Sequence, residues 1–394
     1  MEKILGFIGM FAIVGATYLF SKNKKEINWK SVGCAFIGQI VLAFLLIKTP
    51  LWKGVEWLAN GVSWLLAQAN EGINFVFGGL VPEGGFVFFI NSLLPIVFIS
   101  ASMGLLFHYG ILQKFIAVVG NTVAKVLKVD TLIAVNGVTN MFLGQSDALF
   151  VTKSYLSSPK VSNSVIFATL VGGMTSISAA VVGLYTSYGA SMEWILVSMP
   201  LTVFSTFALT QILMPTKYDA EAVVEVETTD KGVNAIETMM NYATAGFKGV
   251  IGITVALIVF LSVVAMINNF IGVFFPSITL ESILGVVFTP LAFLMGVPAE
   301  EVGMVSQILA TKIVTNEAVA FGLPQFAMLS ANTKAMMTTA LCGFAGLGSI
   351  GILIGGYSAV APNKVGVVAK LGMKALLTAT AVNMLTGAVV GFML

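Results

Sequence analysis

Two short polar clusters interrupt otherwise apolar sequence: Gln145, Ser146 and Asp147 in "NMFLGQSDALF", and Asn316 with Glu317 in "KIVTNEAVAF". Each sets a carboxylate beside an amide, groups that hydrogen-bond a polar solute. Amide, hydroxyl and backbone carbonyl oxygens can also replace the water shell of a hard cation such as sodium. An ionised carboxylate inside a bilayer costs about 2.5–3.5 kcal/mol on insertion scales. Asp147 and Glu317 therefore have a task there, or they lie at tips exposed to water, where they cost nothing. Enzymatic alternatives lack their residues. Walker A, HExxH and GxSxG patterns are absent, and "LGQSD" is not the glycine-aspartate pattern of an intramembrane aspartyl protease. "GFAGLGSIG" has no strand before it, so its glycines serve close helix packing or unwinding rather than dinucleotide binding. Cys34 and Cys342 form no CxxC pair and read as buried thiols. His108, the only histidine, reads as a helix-end or interfacial residue. All 20 basic residues are lysines, which removes any bidentate arginine clamp.

The elements that position these residues must be membrane helices. The 394 residues are 57% hydrophobic and 10% charged, against about 25% charged in soluble domains. Apolar runs near the roughly 20 residues needed to cross a bilayer are expected at 4–20, 31–47, 86–107, 163–187, 194–213, 249–272, 336–358 and 373–393. "ILGFIGMFAIVGATYLF" lacks the cleavage site of a signal peptide and reads as a retained span. Lys22, Lys24, Lys25 and Lys30 place the first loop in the cytoplasm; Lys114, Lys125 and Lys128, and then Lys364, Lys370 and Lys374, agree, with weak dissent from Lys48 and Lys53. Eight spans with both termini outside follow. Leu51, Val55, Leu58, Val62 and Leu65 share a helix face beside Trp52, Trp57 and Trp64, the pattern of a helix lying along the membrane surface, and 111–128 is similar. The acidic stretch 215–247 reads as a solvated cytoplasmic linker or a regulatory contact. The net charge of +2 gives no reason to expect a nucleic-acid partner.

Segments 129–158 and 290–330 are apolar yet interrupted, and each precedes two spans, the first rich in Gly, Ala and Ser. The first set starts from the cytoplasm and the second from outside. That is an inverted-topology repeat, in which re-entrant hairpins and broken helices build a site at mid-membrane. The expected architecture is all-α and polytopic. It comprises an N-terminal scaffold (1–107), a first repeat (108–214), a linker (215–248), a scaffold span with an interfacial segment (249–289), and a second repeat (290–394).

Three ordered motifs carry a family resemblance. "GQSDALFVTKSYL" resembles the GQ[ST]E hairpin of the concentrative nucleoside transporter family, "KIVTNEAVAF" its K-x-x-x-NEFVAY hairpin, and "CGFAGLGSIGILIGGYSAVAP" its CGFANFSSIGI span. The resemblance runs from about residue 85 to the C-terminus, and the eight-span layout fits the prokaryotic members. It implies sodium-coupled import of nucleosides or related solutes across the cytoplasmic membrane, by a homotrimer whose transport domains move as elevators. No cofactor is implied beyond sodium as the coupling ion. The implied solute-binding residues are Gln145, Ser146, Asp147, Val181, Asn316, Glu317, Gly346 and Ser349. The implied sodium ligands are Asn140, Leu143, Ser176 and Ile177. Asp147 is one methylene shorter than the family's glutamate, Ala318 replaces a phenylalanine, and Gly346 replaces an asparagine that helps hold ribose. These departures put the usual ribose recognition in question and give a roomier pocket. Proton coupling through Asp147 or Glu317, and passive facilitation on the same fold, stay open as alternatives.

Overall fold

A bilayer offers no hydrogen bonds, so apolar segments must satisfy their backbone internally, and helices do this within one segment. The computed structural model describes all residues except 1, 22, 82–84, 219–223, 225, 227–231 and 277; Lys22 and most of the acidic residues of 215–247 thus lie outside the described residues. In chain order the helices are α1 (Glu2–Leu19), α2 (Trp29–Lys48), α3 (Leu51–Phe77), α4 (Pro95–His108), α5 (Ile111–Leu127), α6 (Thr131–Leu143), α7 (Asp147–Val151), α8 (Lys153–Leu156), α9 (Asn163–Thr175) and α10 (Val182–Thr186). They continue with α11 (Met192–Leu213), α12 (Ala235–Phe274), α13 (Leu280–Leu294), α14 (Val302–Val314), α15 (Glu317–Phe321), α16 (Pro324–Met328), α17 (Ala331–Leu341), α18 (Leu347–Val360) and α19 (Val365–Met393). The described residues contain no strand.

Seven helical stretches among the described residues are long and apolar enough to cross a membrane. The expected span at 336–358 is not one of them, because residues 342–346 divide it into α17 and α18. The chain is an all-helical, multi-span membrane protein. Its centre holds α9 with α10, 89% buried over their most apolar window, and α11, 83% buried, whereas α12 is 17% buried and faces outward. Small residues allow close crossings around that centre. A Cβ at Gly104 of α4 would lie 2.7 Å from Tyr242 of α12, and one at Gly246 of α12 would lie 2.6 Å from Ser100 Oγ. His108 ends α4, as expected, with Nδ1 2.9 Å from Thr238 Oγ1.

Side-chain caps set several boundaries. Asp130 accepts from the N–H groups of Leu132 and Ile133 and starts α6; Ser162 accepts from Val165 N–H and starts α9. Asn234 accepts from Glu237 N–H, so residues 235–248, expected within the linker, instead form the first turns of the 40-residue α12. The surface helix expected at 51–65 runs on to Phe77, with Trp57 and Trp64 exposed. Cys34 corrects a second expectation: Cys342 is buried, but Cys34 is exposed on the outer face of α2.

Candidate functional site

The first cluster caps a helical hairpin. Helix α6 ends at Leu143, the chain turns through Gly144, Gln145 and Ser146, and α7 starts at Asp147. Gly144 has φ +85° and ψ 177°, a conformation essentially reserved for glycine. The returning arm is tied to the first by Asn136 Nδ2 donating to the Ala148 carbonyl at 3.4 Å. Asn140, 1% exposed, donates its Nδ2 to the backbone and side-chain oxygens of Asn136, both at 2.9 Å. Its own Oδ1 is buried without a hydrogen-bond partner, as is Gln145 Oε1. A buried polar atom left unpaired costs about 1–3 kcal/mol, so two such acceptors on one hairpin mark places where a ligand atom belongs.

Both acceptors lie against a broken helix. After Thr175, Ser176 and Ser178 adopt extended backbone before the chain turns helical again at 179–186. Asn140 faces Gly172, where a Cβ would lie 3.7 Å from Nδ2; Gln145 faces Gly173, where it would lie 3.2 Å from the Gln145 Cβ. A Cβ at Gly144 would lie 2.9 Å from that of Ser178, so the turn is pressed onto the break. Ser176 and Ile177 (2% and 1% exposed) stand at the extended step, and Val181 is buried just beyond it. Helix ends leave their last carbonyls without intrahelical partners, so the ends of α6 and α9 bring backbone oxygens to the neighbourhood of Asn140. Gly144→Ala would combine backbone strain of about 1–3 kcal/mol with a clash at Ser178. Uptake by this variant is expected to fall about ten-fold or more with little loss of expression, which an uptake assay normalised to purified protein checks.

The second cluster repeats the plan. Helix α14 ends at Val314, Thr315 and Asn316 form the turn, and α15 starts at Glu317. Asn316 Oδ1 caps α15 by accepting from Val319 N–H at 3.0 Å. Glu317 is 7% exposed and accepts from Tyr185 Oη at 3.0 Å, which joins this tip to α10. Tyr185 stacks on Phe321, ring centres 4.9 Å apart. The second break spans 342–346. A Cβ at Gly346 would lie 3.3 Å from the carbonyl oxygens of Lys312 and Thr315, so this glycine seats the second tip. Ser349 Oγ donates to the Phe344 carbonyl within the break, leaving its lone pairs as acceptors. The two breaks touch: a Cβ at Gly343 would lie 2.5 Å from the Thr175 carbonyl.

The structure therefore gathers Asn140, Gln145, Ser176 and Val181 around the first tip and break, and Asn316, Glu317, Gly346 and Ser349 around the second. Ser146 also meets α18, its Cα 3.8 Å from where a Cβ on Gly356 would lie. Asp147 is exposed at the start of α7, on the rim of the cluster. Leu143 ends α6 at the first tip. Sequence reasoning assigned no role to Asn136, Tyr185, Lys312 or Asn383. Each is a polar residue in an apolar helix, the signal that marks intramembrane function by default. Lys312 Nζ donates to the Ala340 carbonyl at 2.7 Å. The Asn383 amide, oriented as its neighbours require, accepts from Nζ at 2.8 Å and donates to the Thr175 carbonyl at 3.1 Å.

Comparison with known proteins finds two matching family descriptions: the Na+ dependent nucleoside transporter N-terminus over residues 8–80 and its C-terminus over residues 194–391. Nucleoside permease NupC of Helicobacter pylori is 31% identical over 99% of this chain and 97% of its own. An uncharacterized transporter of Haemophilus influenzae is 32% identical over 99% and 98%. Human solute carrier family 28 member 3 is 27% identical over all of this chain and 60% of its own. The structure of CNTnw in an inward-facing, substrate-bound state superposes with a TM-score of 0.93 at 31% identity, covering 100% of this chain and 98% of that one.

Proposed function

This chain belongs to the Na+ dependent nucleoside transporter family, and we propose that it imports nucleosides or close relatives by symport with sodium across the cytoplasmic membrane of a prokaryote. It is a transporter and not an enzyme. The observation that carries the sodium reading is Asn140 Oδ1, buried without a partner on a residue packed against α9, the helix that breaks after Thr175. In this reading Asn140 Oδ1, the Leu143 carbonyl, the Ser176 hydroxyl and the Ile177 carbonyl hold sodium. Neutral oxygens suit a hard cation, whereas a proton carrier would not need them. Gln145, Ser146 and Asp147, with Val181, bind the base; Glu317, with Asn316 and Ser349, binds the sugar.

Sodium binding satisfies the orphaned acceptor and fixes the first tip against α9, which presents Gln145 to the solute. One positive charge moving down about 100 mV yields roughly 2.3 kcal/mol, enough for a solute gradient of about fifty-fold. The hairpins act as re-entrant elements of an inverted repeat, and the two repeats move as one body past α4 and α12 in an elevator movement. The outward face of α12 then serves as the contact of a homotrimer. Thermal unfolding tests the linkage between ion and solute. Uridine should raise the unfolding temperature of the detergent-solubilised protein in sodium chloride but not in choline chloride at the same pH. Equal stabilisation in both salts would overturn sodium linkage.

The sugar end of the pocket is expected to be permissive, because Gly346 brings no side-chain hydrogen bond and Ala318 is a small side chain. Gly346→Asn should raise affinity for uridine relative to a deoxyribose analogue by about two- to ten-fold, the worth of one hydrogen bond of about 0.5–1.5 kcal/mol. Gly346→Ala supplies the steric control, since its Cβ meets the Lys312 and Thr315 carbonyls without adding a donor. It should weaken both ligands equally in equilibrium binding.

A further inference from the structure

Lys312 is 3% exposed, yet its ammonium donates to a carbonyl (Ala340) and an amide oxygen (Asn383), the donor set that otherwise surrounds a monovalent cation. Burying a charge is costly unless it is closely paired; Glu317 is the nearby opposite charge, yet the ammonium itself sits on neutral oxygens, and that placement calls for a reason. The internal repeat supplies one. Helices α6 and α14, the first arms of the two hairpins, each have 13 residues; the returning arms α7 and α15 each have five and each begin with a carboxylate, Asp147 or Glu317. Each hairpin is followed by a broken span whose first half, α9 or α17, ends at the cluster. In the first repeat, Asn140 in the last turn of α6 carries an unpaired buried oxygen and lies beside Gly172 in the last turn of α9. In the second, Lys312 in the last turn of α14 delivers its ammonium to the Ala340 carbonyl in the last turn of α17. Helix C-termini carry partial negative charge and unpaired carbonyls, which favours a cation at both places. Asn383 then joins the two, bridging Lys312 Nζ to the carbonyl of Thr175 that ends α9.

We propose that Lys312 is a tethered cation, which fills permanently in the second repeat the place that a mobile ion fills in the first. The inference rests on the sodium reading for the first place only. Lys312 is a positioning residue: it holds the second tip, and through it Glu317, against the junction of the two breaks. A free cation is not needed there, so the second hairpin stays assembled whether or not sodium is bound.

The test is chemical rescue in purified protein. Lys312→Ala removes the ammonium and leaves room for a small one; Lys312→Met fills the space without charge. Thermal unfolding is measured without solute in choline, methylammonium or methanol at equal concentration. Lys312→Ala should unfold at lower temperature than the unaltered chain and regain stability in methylammonium alone, and Lys312→Met should show no rescue. In proteoliposomes both variants should lose uridine uptake by roughly ten-fold or more, with methylammonium restoring part of it only in Lys312→Ala. Rescue that fails in Lys312→Ala, or that methanol supplies equally, overturns the proposal. If Lys312→Ala cannot be purified folded, Lys312→Met decides alone: uptake and stability equal to those of the unaltered chain would refute a required cation, and lost uptake in a folded protein would support it. Absence of uptake by the unaltered chain would count against the transport reading instead, because the unfolding measurement needs no solute.

Discussion

Glu317→Gln should remove nearly all uridine uptake while leaving the protein folded. The side chain is 7% exposed at the turn of the second hairpin, and Tyr185 Oη donates to it at 3.0 Å. Glutamine keeps the shape and an acceptor for Tyr185, so the stacked Tyr185–Phe321 pair should stay in place. What it loses is the charge that strengthens a hydrogen bond from a solute hydroxyl. Hydrogen bonds to charged groups are worth about 1.5–3 kcal/mol, so affinity should fall about ten- to a hundred-fold. Asp147→Asn should act in the same direction at the first hairpin. Equilibrium binding of radiolabelled uridine, beside thermal unfolding as a check of folding, separates lost recognition from lost structure. Near-normal uptake by both variants would remove the carboxylates from the site.

Asn140→Ala should change the ion dependence more than the solute preference. It deletes the one side-chain oxygen of the first hairpin's inner arm that is buried without a partner, and it frees Asn136, which now accepts from Asn140 Nδ2 at 2.9 Å. The sodium concentration for half-maximal uptake should rise about ten-fold or more, the scale of one lost oxygen ligand in a buried site. At saturating sodium, uridine and its competitors should keep their order of affinity. A variant whose sodium curve is unshifted would place the ion elsewhere.

Much of this site could be read before any coordinates. Gln145, Ser146 and Asp147 stood out because polar groups in apolar sequence need a reason, and Asp130 and Gly144 bound the first arm of their hairpin by ordinary capping and turn chemistry. The Gly-rich stretch 342–358 left close helix packing or unwinding open, and the structure breaks the helix at 342–346. Other features depended on contacts that a linear pattern does not carry. The start of α12 follows directly on the acidic stretch and is expected from sequence to belong to it, yet it is helical because Asn234 caps it and α4 packs beside it. Cys34 has the composition of a buried position, but bilayer helices expose apolar residues outward, so hydrophobicity alone does not choose the face. The hydrogen-bond acceptors of Lys312 lie outside its own motif. These acceptors, Ala340 and Asn383, lie 28 and 71 residues away, and only the meeting of the two breaks brings them together.

Coupled transport is tested most directly by radiolabelled uridine uptake into proteoliposomes of the purified protein, with an inward sodium gradient and with choline in its place at fixed pH. The expected result is accumulation above the external concentration with sodium, and no accumulation with choline even when a pH gradient is imposed. Uptake that follows the pH gradient and ignores sodium, or that only equilibrates uridine in every condition, would contradict sodium symport.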